Sequence, residues 1–163
     1  MYNKILLPLD GSDLSHQAIP HTIELAKSFG AEVVLLQVID SVSQIIAETT
    51  PATIEPIPSG QLTVEIAESA VEGQREAAEA ILAAAVGQFA QAGVAEGKVS
   101  IQVTEGNAAQ TITTEVERLE CDLVVIATHG RSGLGRALMG SVADHVARHT
   151  PSAAVLLIRP QED

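Results

Sequence analysis

Aromatic residues are almost missing from this chain, which has one Tyr, two Phe and no Trp in 163 residues. Its core must then be aliphatic, and the stacking platforms that grip single-stranded nucleic acid have almost nothing to be built from. Cysteine is as scarce. Cys121 stands alone, which excludes an internal disulfide and a cysteine-rich metal site. Positive charge is short as well, with 9 Lys and Arg against 21 Asp and Glu and a net charge of −12. A chain this acidic is repelled by nucleic acid backbones and anionic membrane surfaces, so neither is expected as a partner. Long apolar runs are lacking too. Ile5-Leu6-Leu7 is too short for the core of a signal peptide, and nothing approaches the ~18 apolar residues of a spanning helix. The expectation is a soluble, cytoplasmic protein.

What is present is a 46% hydrophobic content, enough for a folded core and too much for a disordered chain. Four short runs carry little alternation: Ile5-Leu6-Leu7, Val33-Val34-Leu35-Leu36, Leu123-Val124-Val125-Ile126-Ala127 and Val155-Leu156-Leu157-Ile158. Such runs read as strands buried on both faces. Val99-Ser100-Ile101-Gln102-Val103-Thr104 alternates instead, as a strand at a sheet edge would. Helical spacing links Leu14, Ala18, Thr22, Leu25 and Phe29, with Gly30 as terminator and Pro20 expected to bend the helix. A longer pattern from about Leu62 to Ala92 places Ile66, Ala70, Ala77, Ile81, Ala84 and Phe89 on one side. Ala108, Ile112, Val116 and Leu119 give a third helix, and Leu138, Val142, Val146 and His149 a fourth, stopped at Thr150-Pro151.

Strands alternating with helices imply parallel strands and right-handed crossovers, an α/β open doubly wound sheet with helices on both faces. The whole chain, 1–163, reads as a single domain, with a long proline-bearing connection at 41–60.

In such sheets ligands bind beyond the carboxyl ends of the strands. After the fourth strand comes Thr128-His129-Gly130-Arg131-Ser132-Gly133-Leu134-Gly135-Arg136, then Ala137-Leu138-Met139-Gly140-Ser141. Glycines let a ligand approach the backbone, and a following helix, with Ser141 as its expected N-cap, offers free N–H groups and partial positive charge. Between His129 and Thr150 three arginines (Arg131, Arg136, Arg148) stand against the single acid Asp144, in an otherwise acidic chain. That favours an anion site. The plainer reading is a capped glycine turn with solvated arginines. The phosphate-binding P-loop pattern is absent, and Leu138 replaces the third glycine of a dinucleotide fingerprint.

These residues resemble the universal stress proteins, whose ATP-binding members carry G-x-x-G, nine residues, then G-[ST]. Here Ala127-Thr128-His129-Gly130 is followed by Arg131 to Met139 and then Gly140-Ser141. Lys4 to Ser12, Leu35 to Asp40 and Pro151 to Pro160 are similar to other signature regions, so the likeness covers essentially the whole chain. The resemblance implies a five-stranded sheet ordered 3-2-1-4-5, and a homodimer paired through the last strand, Ala153 to Ile158. An uncovered apolar edge strand is an aggregation hazard, which makes that pairing sensible. It further implies an adenine nucleotide, ATP with Mg²⁺. Pro8, Leu9 and Asp10 would then line the adenine and ribose side, and Val38 would touch adenine. Gly130, Arg131, Ser132 and Gly133 would wrap the phosphates, with Gly140, Ser141 and Val142 supplying N–H groups and a hydroxyl. His129 in the same loop would touch the ligand or act as a base, the plainer reading being a structural histidine beside a glycine turn. Ala127 is the departure, standing where the motif has its first glycine.

Asp10 carries two readings, a Mg²⁺ ligand or a turn former with Gly11 and Ser12. His145 and His149 have metal-compatible spacing but no evident third ligand. Cys121 reads as a small core residue, and Glu65, Glu68, Glu72, Glu76 and Glu79 as a solvated helix face. With no base or activating group evident, hydrolysis of a bound nucleotide is expected to be slow or absent. A nucleotide whose occupancy alters dimer or partner surfaces is the leading function. The alternatives are a nucleotide-independent dimeric module, or a sensor of AMP or a cyclic nucleotide. A phosphorylatable receiver domain is excluded, because no lysine follows the last strand.

Overall fold

The computed structural model describes residues 1–49, 60–128 and 140–159. Its elements run β1 (Lys4–Pro8), α1 (Asp13–His16), α2 (Ala18–Phe29), β2 (Glu32–Ile39), α3 (Val42–Thr49) and α4 (Gly60–Gln91). They continue with β3 (Val99–Glu105), α5 (Ala108–Arg118), β4 (Leu123–Ala127), α6 (Ser141–His149) and β5 (Ala154–Ile158). The strands form one parallel, 5-stranded sheet in the order β3-β2-β1-β4-β5, the expected doubly wound arrangement.

The apolar runs of β1, β2 and β4 lack alternation because both faces of the sheet are covered there. β5, read as buried on both faces, is instead an edge strand with Leu156 exposed. Ile5, Leu7, Val33, Leu35 and Val125 face one way and pack with Ile19 and Ile23 of α2 and Leu82 and Phe89 of α4. Leu6, Val34, Leu36, Val124 and Ile126 face the other way, against Ile112 and Val116 of α5 and Ala143 and Val146 of α6. Burial of such side chains contributes about 1.5–3 kcal/mol each, which is what holds the layers together. β3 and β5 are the edges. No helix among the described residues is long and apolar enough to cross a membrane.

Several local expectations need correction. The first helix is two, broken at Gln17, whose amide turns back to the carbonyl of Leu14. Pro20 lies in the first turn of α2, where its missing N–H costs no hydrogen bond, so it bends nothing. In α4 Phe89 is buried as expected, but the rest of the stripe is Ala67, Val71, Ala78, Leu82 and Ala85, one residue later than the spacing suggests. Phe89, the bulkiest buried residue, sets the phase, since it falls four after Ala85 and seven after Leu82; Ile66 is left 62% exposed.

Part of the 41–60 segment is helical. Ser41 and Gln44 cap α3 reciprocally, the Ser41 amide donating to Gln44 Oε1 at 2.8 Å and the Gln44 amide to Ser41 Oγ at 3.4 Å. Val42 and Ile45 then pack with Ile39, Val71 and Ala78 in a small separate cluster. The 32 residues of α4 span about 48 Å at 1.5 Å per residue. The longest strand, 8 residues in β2, covers only about 26 Å. The amino-terminal half of α4 therefore overhangs the sheet, with α3 beside it. Two ties fasten it at the strand ends. Gln74 exchanges hydrogen bonds with Asp40 (3.0 and 3.1 Å), and Arg75 reaches Glu105 at 2.6 Å.

The opposite rim is closed by Asp122, whose carboxylate accepts the amides of Asn3 (2.8 Å) and Lys4 (3.1 Å) and the Asn3 side chain (2.9 Å). This clamps the start of β1 to the start of β4.

Candidate functional site

A cleft of about 260 Å³ opens at the carboxyl ends of β1, β2 and β4, where the strand order turns back on itself. β1 contributes Pro8 and the two residues after it, Leu9 and Asp10. Leu9 is held in place by its amide, which donates to the carbonyl of Leu36 at 2.8 Å. Leu36 and Val38 of β2, Ala108 and Ile112 of α5 and Ile126 of β4 form an apolar wall. The other wall is polar and belongs to Thr128 and the amino end of α6, from Gly140 to Ala143.

Asp10 sits in a turn built by its neighbours. Its Oδ1 accepts from the Ser12 amide at 2.9 Å and the Ser12 hydroxyl at 2.6 Å, while Ser12 Oγ in turn caps α1 by accepting the Ser15 amide. Gly11 makes the turn with φ of +79°, a conformation that disfavours a side chain. Partial burial would raise the Asp10 pKa, but the Ser12 hydroxyl and amide outweigh it and hold the carboxyl below its ordinary value. The group is thus a fixed anion. An ionised carboxylate at the edge of the cleft suits a hard cation by donor chemistry. The turn-forming role and a metal-holding role are compatible, since the turn itself keeps the carboxyl charged.

α6 begins differently from the sequence expectation. Gly140 is the N-cap, in an extended conformation (φ −51°, ψ 145°), and its carbonyl accepts the Asp144 amide at 2.9 Å; Ser141 is the first helical residue. Among the described residues no side chain caps this helix end. α1 and α5 differ here, being capped by Ser12 and Asn107. The amides of Ser141, Val142 and Ala143 have no intrahelical acceptor, and all three residues border the cleft. Since the φ of Gly140 is open to any residue, backbone strain does not explain the glycine. Asp144, the acid in this first turn, is engaged by Arg148 Nε at 2.9 Å.

Of the residues expected from sequence, the cleft brings together Pro8, Leu9, Asp10, Val38, Ala127, Gly140, Ser141 and Val142. His129, Gly130, Arg131, Ser132 and Gly133 lie outside the described residues. Leu14, Ser15, Ala108, Ile112 and Thr128 border the cleft without having been singled out. The apolar spacing of Leu14, Ala108 and Ile112 marks them only as core, and Thr128 stands in the glycine motif as one of its unspecified positions. The available signal was their position near strand or helix ends at the carboxyl rim. His145 and His149 lie further along α6 with rings stacked 4.2 Å apart. No cluster of three or more metal-ligating side chains occurs among the described residues. Cys121 is buried at the far rim, and burial pushes its thiol up to about 11, as suits a core residue. The cleft thus pairs an apolar slot with unspent amides and a fixed carboxylate.

Comparison with known proteins agrees with this architecture. The family model described as the universal stress protein family matches residues 1–159. A universal stress protein of Methanocaldococcus jannaschii is 32% identical over 163 residues, covering 100% of this chain and 86% of the relative. Among solved structures, a universal stress protein in complex with cAMP superposes with a TM-score of 0.66 at 19% identity, covering 98% of both chains. A universal stress protein family protein from Arabidopsis thaliana with AMP bound gives a TM-score of 0.61 at 20% identity, over 99% of this chain and 94% of that one.

Proposed function

The chain belongs to the universal stress protein family, and from that premise we propose that its cleft binds an adenine nucleotide and that occupancy alters the surfaces offered to partners. The observation that carries this is the pairing, in one cleft, of an apolar slot with an uncapped helix end at the point where the strand order reverses. Adenine is flat and largely apolar at its faces, and Leu36, Val38, Ala108 and Ile112 suit it. A phosphate suits the amides of Ser141, Val142 and Ala143. Two family structures holding AMP and cAMP support the choice of adenine.

ATP is the finer form of the proposal, with Mg²⁺ that the Asp10 carboxylate would help to hold. The metal would neutralise phosphate charge in a chain of net charge −12. Among the described residues no histidine borders the cleft, and hydrolysis is expected to be slow. A homodimer through β5 in the cytoplasm completes the reading. β5 is an edge strand of apolar sequence, with Leu156 37% exposed, and a second copy would cover it. A monomer at micromolar concentration in sedimentation would refute that part.

The deciding experiment denatures protein purified without added nucleotide and identifies any released small molecule by chromatography and mass. AMP, cAMP and ATP with Mg²⁺ are then titrated calorimetrically. An adenine nucleotide at near one per subunit is expected. An empty protein that ignores all three would favour the nucleotide-independent dimeric module, for which the methyl of Ala127 at the cleft is the supporting feature.

A further inference from the structure

We propose that Thr128 is the positioning residue of this cleft, its hydroxyl fixing where the amino end of α6 stands relative to β1 and β4. The inference rests on the reading of the cleft as a phosphorylated-nucleotide site. Thr128 follows β4 directly and is only 4% exposed. Its amide donates to the carbonyl of Ile158 at 2.8 Å, so the neighbouring strand β5 holds its backbone. Its Oγ1 accepts the amide of Gly140 at 3.3 Å, twelve residues on in the chain. One buried side chain thus joins the end of β4 to the N-cap of α6.

Among the described residues, the remaining hold on this end of α6 is apolar. Ala143 and Val146 pack in the sheet's second core cluster. Apolar contact is non-directional, so it sets how far the helix lies from the sheet but tolerates sliding along the axis. A hydrogen bond specifies distance and angle. It is the Thr128–Gly140 bond that sets the axial position of the three amides bordering the cleft. The other buried threonines behave differently. Thr22 and Thr150 return their hydroxyls to carbonyls four residues earlier, Ala18 at 2.8 Å and Val146 at 2.7 Å, which ties nothing distant together. If Thr128 served only to fill space at a strand end, valine would serve equally well.

The test compares the wild-type chain with Thr128→Val, which keeps the shape, and Thr128→Ser, which keeps the hydroxyl. AMP and adenosine are titrated calorimetrically against each, and amide hydrogen exchange is followed at Gly140. In T128V the AMP affinity is expected to fall about tenfold or more, the equivalent of one charge-assisted hydrogen bond. Adenosine, which does not reach the amides with a phosphate, is expected to keep its affinity within about twofold. T128S restores AMP binding, and exchange at Gly140 is slow with Thr or Ser and fast with Val. Should T128V fail to fold, Thr128→Ala provides the same contrast. Equal losses for AMP and adenosine, unchanged AMP affinity in T128V, or no rescue by serine would each overturn the proposal. A wild-type chain that binds none of AMP, cAMP and ATP would overturn the nucleotide reading itself. Gly140 exchange then separates the two, because protection that ignores the hydroxyl refutes the hydrogen bond independently of any ligand.

Discussion

Replacing Gly140 by aspartate sets two consequences of one geometry against each other. The residue is the N-cap of α6 in an extended conformation that aspartate adopts without strain. A carboxylate there would accept the unspent amides of the first turn, the bonds Gly140 cannot make. Glycine trails the best caps by only a few tenths of a kcal/mol. A negative charge at a helix amino end adds about 0.3–1 kcal/mol at an exposed site. Repulsion from Asp144 is blunted by its pairing with Arg148. The net gain is about 0.5 kcal/mol, or a rise of about 1–2 °C in Tm for a chain of this size. Binding moves oppositely. Two amides withdrawn from a phosphate, at about 1.5–3 kcal/mol per charged hydrogen bond, cost about a hundredfold in affinity or more. Melting with and without AMP reads both effects at once. Wild-type protein at 100 times Kd gains about 2.7 kcal/mol from ligand. The variant is expected to melt higher alone and to show no ligand-induced rise. A variant that melts higher and keeps the rise would refute the role given to these amides. A variant that melts lower would show that glycine is required there for packing.

Three further outcomes follow from groups outside the cleft. Glu120 sits at φ +54° just past α5, completing its terminal turn with hydrogen bonds from the amides of Glu120 and Cys121 to Glu117 and Val116. Glu120→Gly should relieve up to about 1 kcal/mol and raise the urea midpoint without changing the m-value. Burial would raise the pKa of Asp122, but the Asn3 and Lys4 amides outweigh it and lower the value. Its contribution is therefore complete above the ordinary carboxylate range and lost as pH falls through the depressed folded value. Asp122→Asn should cost about 1 kcal/mol at pH 7, a modest figure because the site is partly solvated. The gap from wild type should close at acid pH, and a gap independent of pH in urea titrations would contradict this. Cys121, with its thiol near 11, should ignore alkylating reagent at pH 8 until the chain is unfolded in denaturant. Stoichiometric labelling of native protein would show the pocket to be open.

The sheet was legible because a strand buried on both faces has a one-dimensional signature, and β1, β2 and β4 carry it in full. Its order came from the resemblance, since strand composition does not say which neighbours pair. The stripe of α4 was misplaced by one residue because alanine fills two adjacent helical rows, and only the bulk of Phe89 chooses between them. α3 was missed, because Ser41 and Gln44, the pair that caps it, stand at the head of a segment read as a proline-bearing connection. In the cleft, glycine spacing pointed to α6, but Ala108 and Ile112 look in sequence like any other core residues, and the motif leaves the identity of Thr128 open. Their role depends on contacts between distant segments, as does the tie between Asp122 and Asn3, 119 residues apart.

The overhang of α4 has a thermodynamic consequence. Beyond Gln74 and Arg75 the helix leaves the sheet, and little apolar surface is buried there: a small cluster of Ile39, Val71 and Ala78 at the junction, and Ala67 further out. The principal cluster buries 16 residues. A unit with so little apolar area of its own opens at a lower free energy than the whole domain unfolds. The α3–α4 arm is accordingly a foldon distinct from the sheet. Its amides between about Thr63 and Glu72 should exchange with solvent through a local opening, while those of β1 wait for global unfolding. The five-stranded body can release that arm and keep its fold.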